Sequence, residues 1–121
     1  MISINYRDAR PIYEQVKDGF KQLIITGILP VDARMPSVRE LASELTINPN
    51  TIQRAYRELE LEGFIVSVPG KGSFVSGAGD MVRAQINELK AKLGSIAQEL
   101  RSFGVSDEDM TQIIRGGRKH D

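Results

Sequence analysis

Residues Asn48–Gly63, NPNTIQRAYRELELEG, hold a start signal, a stop signal and two unlike faces in one stretch. An asparagine side chain accepts from the free amides at a helix start, proline fits the first helical position, and glycine suits the residue just past the end. Asn48, Pro49 and Gly63 stand in those three places. Between them Ile52, Ala55, Tyr56 and Leu59 recur at helical spacing and are expected to face a core. The other face carries Asn50, Thr51, Gln53, Arg54 and Arg57. Amide, hydroxyl and guanidinium groups of this kind hydrogen-bond base edges and phosphates in a DNA groove. An ordinary solvated helix face carries the same groups, so the flanking segments have to decide.

Upstream, Ser37-Val38-Arg39-Glu40 is a capping box, in which the serine hydroxyl takes the Glu40 amide and the Glu40 carboxylate reaches back. Val38, Leu41, Ala42 and Leu45 form the apolar face of a short helix. Thr46-Ile47-Asn48 leaves room only for a tight turn into the next helix, and the pair reads as a helix-turn-helix. Arg34-Met35-Pro36 is expected to enter it extended, because the residue before proline avoids the helical region. Further upstream, Ile12, Val16, Phe20, Leu23 and Ile24 make an apolar stripe that Gly27 ends, so a core-packing helix is expected over Pro11–Thr26.

Downstream the period changes. Phe64–Val68 and Ser73–Ser76 are β-rich and flank the turn Pro69-Gly70-Lys71-Gly72, which makes a β-hairpin. Helix, helix-turn-helix and hairpin in that order are a winged helix, whose second paired helix enters the major groove. Gly70 and Lys71 at the wing tip bring backbone amides and one cation within reach of a phosphate or the minor groove. A nucleotide-binding phosphate loop is disfavoured there, since no helix N-terminus follows the turn.

Composition limits the alternatives. The chain has 121 residues, enough for one domain plus an appendage, and its apolar content suits a modest core. It has no cysteine, which excludes a disulfide framework, a thiolate metal site and a thiol nucleophile. With no apolar leader and no spanning run, a cytoplasmic protein with no membrane partner is expected. Catalysis is not expected: the one histidine, His120, is close to the C-terminus, and no acid–base pair or metal cluster is visible. No cofactor and no metal are expected.

Charge argues mildly against nucleic acid. Lys and Arg balance Asp and Glu at nine each over Met1–Gly79 and at seven each over Asp80–Asp121. A basic surface therefore requires segregation of charge within the fold. The rival reading is a winged-helix module that binds protein. Against it stand Arg34, Arg39, Arg54, Arg57 and Lys71 around the expected groove-facing surface. The candidate DNA-binding set is Arg34, Ser37, Arg39, Asn50, Thr51, Gln53, Arg54, Arg57, Gly70 and Lys71, with Arg54 and Arg57 assigned to phosphates.

Pro11-Ile12-Tyr13, the run Arg34–Ala42, Asn48–Tyr56, Leu59-Glu60, Glu62-Gly63 and Gly70–Val75 together resemble the GntR family of bacterial transcription regulators, from about Tyr6 to Val75. The Asn-Pro-Asn-Thr entry and the short tail resemble its YtrA subfamily in particular. The resemblance implies a dimer on a two-fold-related operator. It places DNA contacts on Arg39, on Asn50, Thr51 and Gln53, and on Gly70 with Lys71. It also implies repression of an operon that includes the regulator and an ABC-type transporter. Pro49 and Gln53 stand where other branches carry guanine-reading arginines. Proline has no side-chain donor, and glutamine suits adenine better than guanine.

After the hairpin, Gly77-Ala78-Gly79 reads as a flexible joint that divides a winged domain, residues 1–76, from a tail, residues 80–121. Val82, Ile86, Leu89, Leu93, Ile96, Leu100 and Phe103 step by four and three alternately, a seam of about 33 Å at about 1.5 Å per residue. Such a seam needs a partner. Homodimerisation is expected, and the alternative is folding back onto the winged domain. Phe103-Gly104-Val105 ends this helix, and Ser106–Asp109 starts a shorter one with Met110, Ile113 and Ile114, after which Arg115–Asp121 is expected to fray. Larger members of the family carry an effector-binding or aminotransferase-like domain here, and the tail is too short for either. A small-molecule effector, if one acts, is expected in a crevice between tail and winged domain or at the dimer interface. The fold class expected is mainly α with a small β-hairpin: a winged helix-turn-helix followed by a helical dimerisation tail.

Overall fold

The computed structural model describes residues 2–119. Its elements are α1 (Ile12–Ile25), α2 (Val38–Leu45), α3 (Pro49–Leu61), β1 (Ile65–Val68), β2 (Gly72–Val75), α4 (Ala78–Ser102) and α5 (Asp107–Lys119). They form two compact units, Met1–Arg83 and Ala84–Asp121. His120 lies outside the described residues, and so does Asp121.

Local signals set the helix ends of the first unit. Ser37 Oγ accepts the Glu40 amide at 3.0 Å, which is the serine half of the expected capping box. The return bond from the Ser37 amide to Glu40 is not formed among the described residues. Thr46 closes α2 in the left-handed region at φ 54°, with the Ile47 amide returning to Ala42 O at 2.9 Å. Asn48 Oδ1 then accepts the Asn50 amide at 2.8 Å, with Pro49 at the first position of α3. Gly63 follows α3 at φ 85°, a conformation that costs glycine little.

Helix α1 lies on α3 with both running the same way, as the pairs Tyr13–Arg54, Lys17–Glu58 and Lys21–Glu62 show. Between them Val16, Phe20 and Ile24 of α1 meet Ile52, Ala55, Tyr56 and Leu59 of α3 in one core, which Leu41, Ala42, Phe64, Ile65 and Val75 complete. Phe20 and Tyr56 pack edge-to-face at 5.8 Å, and the Tyr56 hydroxyl donates to Pro36 O at 2.7 Å. Burial, reinforced by the nearby Glu40 charge, raises the pKa of that phenol. Ile47, inside the turn, is half-buried against the same core, as the turn reading expects.

The hairpin pairs Ile65 with Val75 through Val68 with Gly72. Beyond the expected two strands, Ala33–Met35 lies along the free edge of β2. The Met35 amide donates to Ser73 O at 2.8 Å and the Val75 amide to Ala33 O at 2.9 Å. The extended entry predicted from Pro36 is thus a third strand-like edge. Gln15, the one buried polar side chain among the described residues, ties the N-terminal segment to α1: it accepts from the Asn5 amide at 2.8 Å and donates to Asn5 O at 3.0 Å.

Two expectations about the tail are corrected. Gly77–Gly79 is not a loose joint, because α4 begins at Ala78 and Gly79 is buried against α1. Arg83 Nη1 donates to Ile25 O at 3.0 Å, so the first six residues of α4 belong to the first unit. Val82 packs on the core of that unit and leaves the seam. At the C-terminal end α5 extends to Lys119, and the last two residues of the segment expected to fray lie outside the described residues. In the second unit Gly104, at φ 87°, ends α4 as expected. Ser106 caps α5, and Asp107 meets Arg101 at 2.8 Å. Among the described residues no helix is long and apolar enough to cross a membrane.

Candidate nucleic-acid interface

At about 100° per residue, Asn50, Gln53 and Arg57 fall within about 60° of one another on α3. All three are exposed. Thr51 is turned about 100° beyond Asn50, toward the α1 side, and is half-buried. The structure therefore keeps Asn50, Gln53 and Arg57 on one outward stripe and sets Thr51 apart from it. Arg54 lies at the edge of this stripe, its guanidinium carbon 3.7 Å from the Tyr13 ring centroid.

Gln53 and Arg57 also line a concavity of about 330 Å³ between α3 and the hairpin, together with Val38, Glu60, Ser67 and Ser73. Ser67 Oγ donates to Glu60 Oε1 at 2.6 Å, which ties β1 to α3 and sets the wing relative to the helix. Sequence reasoning passed over this link. Its one local trace is that Ser67 and Ser73 stand opposite each other in the hairpin. On the other flank Arg39 is exposed near the start of α2 and borders a shallow hollow with Ser43, Thr46, Ile47 and Pro49. Ser37 is engaged in capping α2. Pro49 occupies the helix start and offers no donor.

The wing carries two cations where the sequence reading placed one. Lys71 is exposed at the tip beside Gly70, which takes φ 76°. Arg34, on the strand-like edge, lays its guanidinium over Gly72, and a Cβ there would meet Arg34 Nε at 3.3 Å.

Ion pairing within the fold takes up part of the charge of a neutral chain. On the α1 side of α3, Lys17 pairs with Glu58 and Glu62, each at 3.1 Å, and Lys21 pairs with Glu62 at 3.0 Å. Hydrogen bonds from Lys21 and Lys17 lower the Glu62 pKa against the opposing effect of partial burial. The same contacts, from Glu62 first and then Glu58, raise Lys17 to about 12. Glu58 of α3 and Glu62 just past its end are thereby paired away from the stripe. Arg34, Arg39, Arg57 and Lys71 form no ion pair among the described residues, and all four are exposed.

In the second unit Leu93, Ile96, Leu100, Met110, Ile113 and Ile114 line a largely apolar concavity of about 490 Å³ between α4 and α5. Leu93 is 54% and Phe103 79% exposed; Ile86 and Leu100 are half-buried, and Leu89 and Ile96 are exposed. No group of His, Cys, Asp or Glu able to hold a metal ion occurs among the described residues.

Residues 12–75 match the model of the bacterial regulatory proteins, gntR family. The HTH-type transcriptional repressor YtrA of Bacillus subtilis is 35% identical over 130 residues, covering 100% of both chains. A transcriptional regulator from Oenococcus oeni superposes with a TM-score of 0.64 at 36% identity, over 96% of this chain and 98% of that one. AraR(DBD) in complex with an operator superposes with a TM-score of 0.54 at 30% identity, over 61% of this chain and 89% of that one. The matched family and relatives are transcriptional regulators, not enzymes.

Proposed function

The chain belongs to the GntR family of bacterial regulatory proteins, as a YtrA-type helix-turn-helix regulator, and on that premise we propose that it is a cytoplasmic repressor binding a two-fold-related DNA operator as a homodimer. The observation that carries this reading is the set of four exposed cations, Arg34, Arg39, Arg57 and Lys71, around the Asn50–Gln53–Arg57 stripe, none of which forms an ion pair among the described residues. Helix α3 lies in the major groove, whose width of about 12 Å admits a helix. Asn50 and Gln53 read base edges, with Gln53 suited to adenine. Arg39, Arg54 and Arg57 meet phosphates, and Lys71 with Arg34 brings the wing to the backbone or minor groove. Thr51 is left to support the start of α3 from the α1 side.

The second unit supplies the dimer. Ile86, Leu89, Leu93, Ile96, Leu100 and Phe103 form the contact face, and a second copy covers the apolar concavity between α4 and α5. A two-fold dimer spaces half-sites by about 34–36 Å or multiples of it. A repressor in the named relative, YtrA of Bacillus subtilis, supports the direction of regulation. An effector, where one acts, binds at the dimer interface.

The test is the salt dependence of binding to a duplex selected by the chain from a random pool. DNA binding requires a loss of about 0.9 log units in affinity per tenfold salt for each phosphate contacted. The selected sequence gives the half-site spacing and the base opposite Gln53. Arg39→Ala is expected to weaken binding, while Lys92→Ala, on an exposed position of α4, leaves it unchanged. Failure of every duplex to bind with salt sensitivity favours the protein-binding module.

A further inference from the structure

We propose that Tyr13 of α1 is a positioning residue for DNA binding: its ring holds the Arg54 guanidinium at the α1–α3 seam, so that Arg54 meets a phosphate already ordered. The inference rests on the DNA-binding reading above. Arg54 Cζ stands 3.7 Å from the Tyr13 ring centroid, a stacking distance at which the planar cation is attracted to the ring face. Its Nε edge is turned toward Glu58 Oε2 at 3.6 Å, too far for a hydrogen bond. The two groups are thus within ion-pair distance without a hydrogen bond, and the other oxygen of Glu58, Oε1, accepts from Lys17 Nζ at 3.1 Å. No guanidinium N–H of Arg54 donates a hydrogen bond among the described residues, and its side chain is 59% exposed.

The guanidinium is therefore held in orientation without its donors being taken. A carboxylate in the ring's place would compete with a phosphate for those donors. An aromatic face restricts the side chain and leaves them free. The ring itself is fixed, because α1 is seated by Val16, Phe20 and Ile24 in the core and by the Lys17 and Lys21 ion pairs. Tyr13 lies 41 residues from Arg54 along the chain, so α1, otherwise a packing helix, takes part in presenting the DNA-binding surface. The device works through the ring. The hydroxyl points to Glu14, with Oη 3.4 Å from Oε1.

The test measures affinity against salt for a duplex that the wild-type chain recovers from a random pool, using full-length variants. Tyr13→Phe keeps the ring and is expected to bind within about twofold of wild type. Tyr13→Leu removes the stack and is expected to lose about threefold to tenfold. Arg54→Ala flattens the salt slope by about 0.9, one phosphate. The double variant Tyr13→Leu/Arg54→Ala is expected to bind no more weakly than Arg54→Ala alone, because the ring acts only through the arginine. Circular dichroism checks that each variant folds. Should Tyr13→Leu unfold, Arg54→Lys replaces it: the charge stays, the planar stack is lost, and the same range of weakening is expected. Additive losses in the double variant overturn the proposal. So does Tyr13→Phe binding as weakly as Tyr13→Leu, which assigns the role to the hydroxyl, or Arg54→Lys binding like wild type. If the wild type itself shows no salt-sensitive duplex binding, the DNA-binding reading has failed; wild-type binding with indifferent Tyr13 variants sinks this inference alone.

Discussion

Two glycines on one helix, Gly79 and Gly94 of α4, are expected to respond to alanine with opposite signs. At Gly79 an added Cβ would stand 2.5 Å from Ile24 Cγ2, 2.8 Å from Ile24 O and 3.1 Å from Ile24 C. The side-chain methyl can swing away, but the carbonyl belongs to the last turn of α1 and cannot. The start of α4 must then lift from α1. That strains the Arg83 donation to Ile25 O at 3.0 Å and the packing of Ala78 and Val82 on the core. Overpacking of this kind costs about 1–3 kcal/mol. The helix-propensity gain of alanine offsets little, since position 79 is in the first turn. For a unit of this size 1 kcal/mol moves the midpoint by about 4–8 °C, so Gly79→Ala, at about 1–3 kcal/mol, should lower the first unit's Tm by about 4–24 °C. At Gly94 an added Cβ meets nothing within 4 Å. Alanine there should stabilise the helix by up to about 1 kcal/mol. Thermal unfolding followed by far-ultraviolet circular dichroism and calorimetry reads both. A flexible joint at Gly77–Gly79 predicts a neutral or stabilising Gly79→Ala, and that result would refute the docking of α4 on α1.

Other perturbations probe the remaining elements. Leu93→Asp puts a charge on the exposed apolar face of the second unit and should give monomers by light scattering, with operator affinity greatly weakened; a variant that stays dimeric rejects that face as the interface. Gly72→Ala places a Cβ 3.3 Å from Arg34 Nε at φ 113°, a conformation that side chains rarely adopt. It should cost the fold about 1 kcal/mol or more and weaken duplex binding, with urea denaturation and gel shift as the checks. The Lys17–Glu62 contact carries its own pH signature. Glu62 is lowered, so its contribution is present above the unfolded carboxylate value of about 4.3 and disappears as pH falls through the folded value. Lys17 is raised to about 12, so its contribution is complete below about 10.4 and is lost as pH rises toward that folded value. Glu62→Gln should therefore differ from wild type in denaturant midpoint at neutral pH, and the gap should close in acid.

Helix ends and faces were legible in the chain because their causes are local. Asn48 and Pro49 start α3 through groups one or two residues away, Ser37 caps α2 through Glu40, and Gly63 and Gly104 permit the positive φ that ends their helices. The same short-range chemistry announced the hairpin and the helix-turn-helix, and hence the family. The composition of the surface was not local. Charge counts over Met1–Gly79 cancel, and only the packing of α1 along α3 brings Lys17 and Lys21 to Glu58 and Glu62, leaving Arg39, Arg57 and Lys71 without an ion pair among the described residues. The seat of Arg54 on Tyr13, the third edge from Ala33–Met35 and the closure of Gly79 on Ile24 have the same origin. Each depends on the distance and angle between elements far apart in the chain, which no spacing rule encodes. The sequence by itself determined which segments become helices and hairpin and which residue types the recognition helix carries. The tertiary structure decided which of those side chains are paired off and which remain to meet a charged partner, because ion pairing and close packing follow from proximity in space.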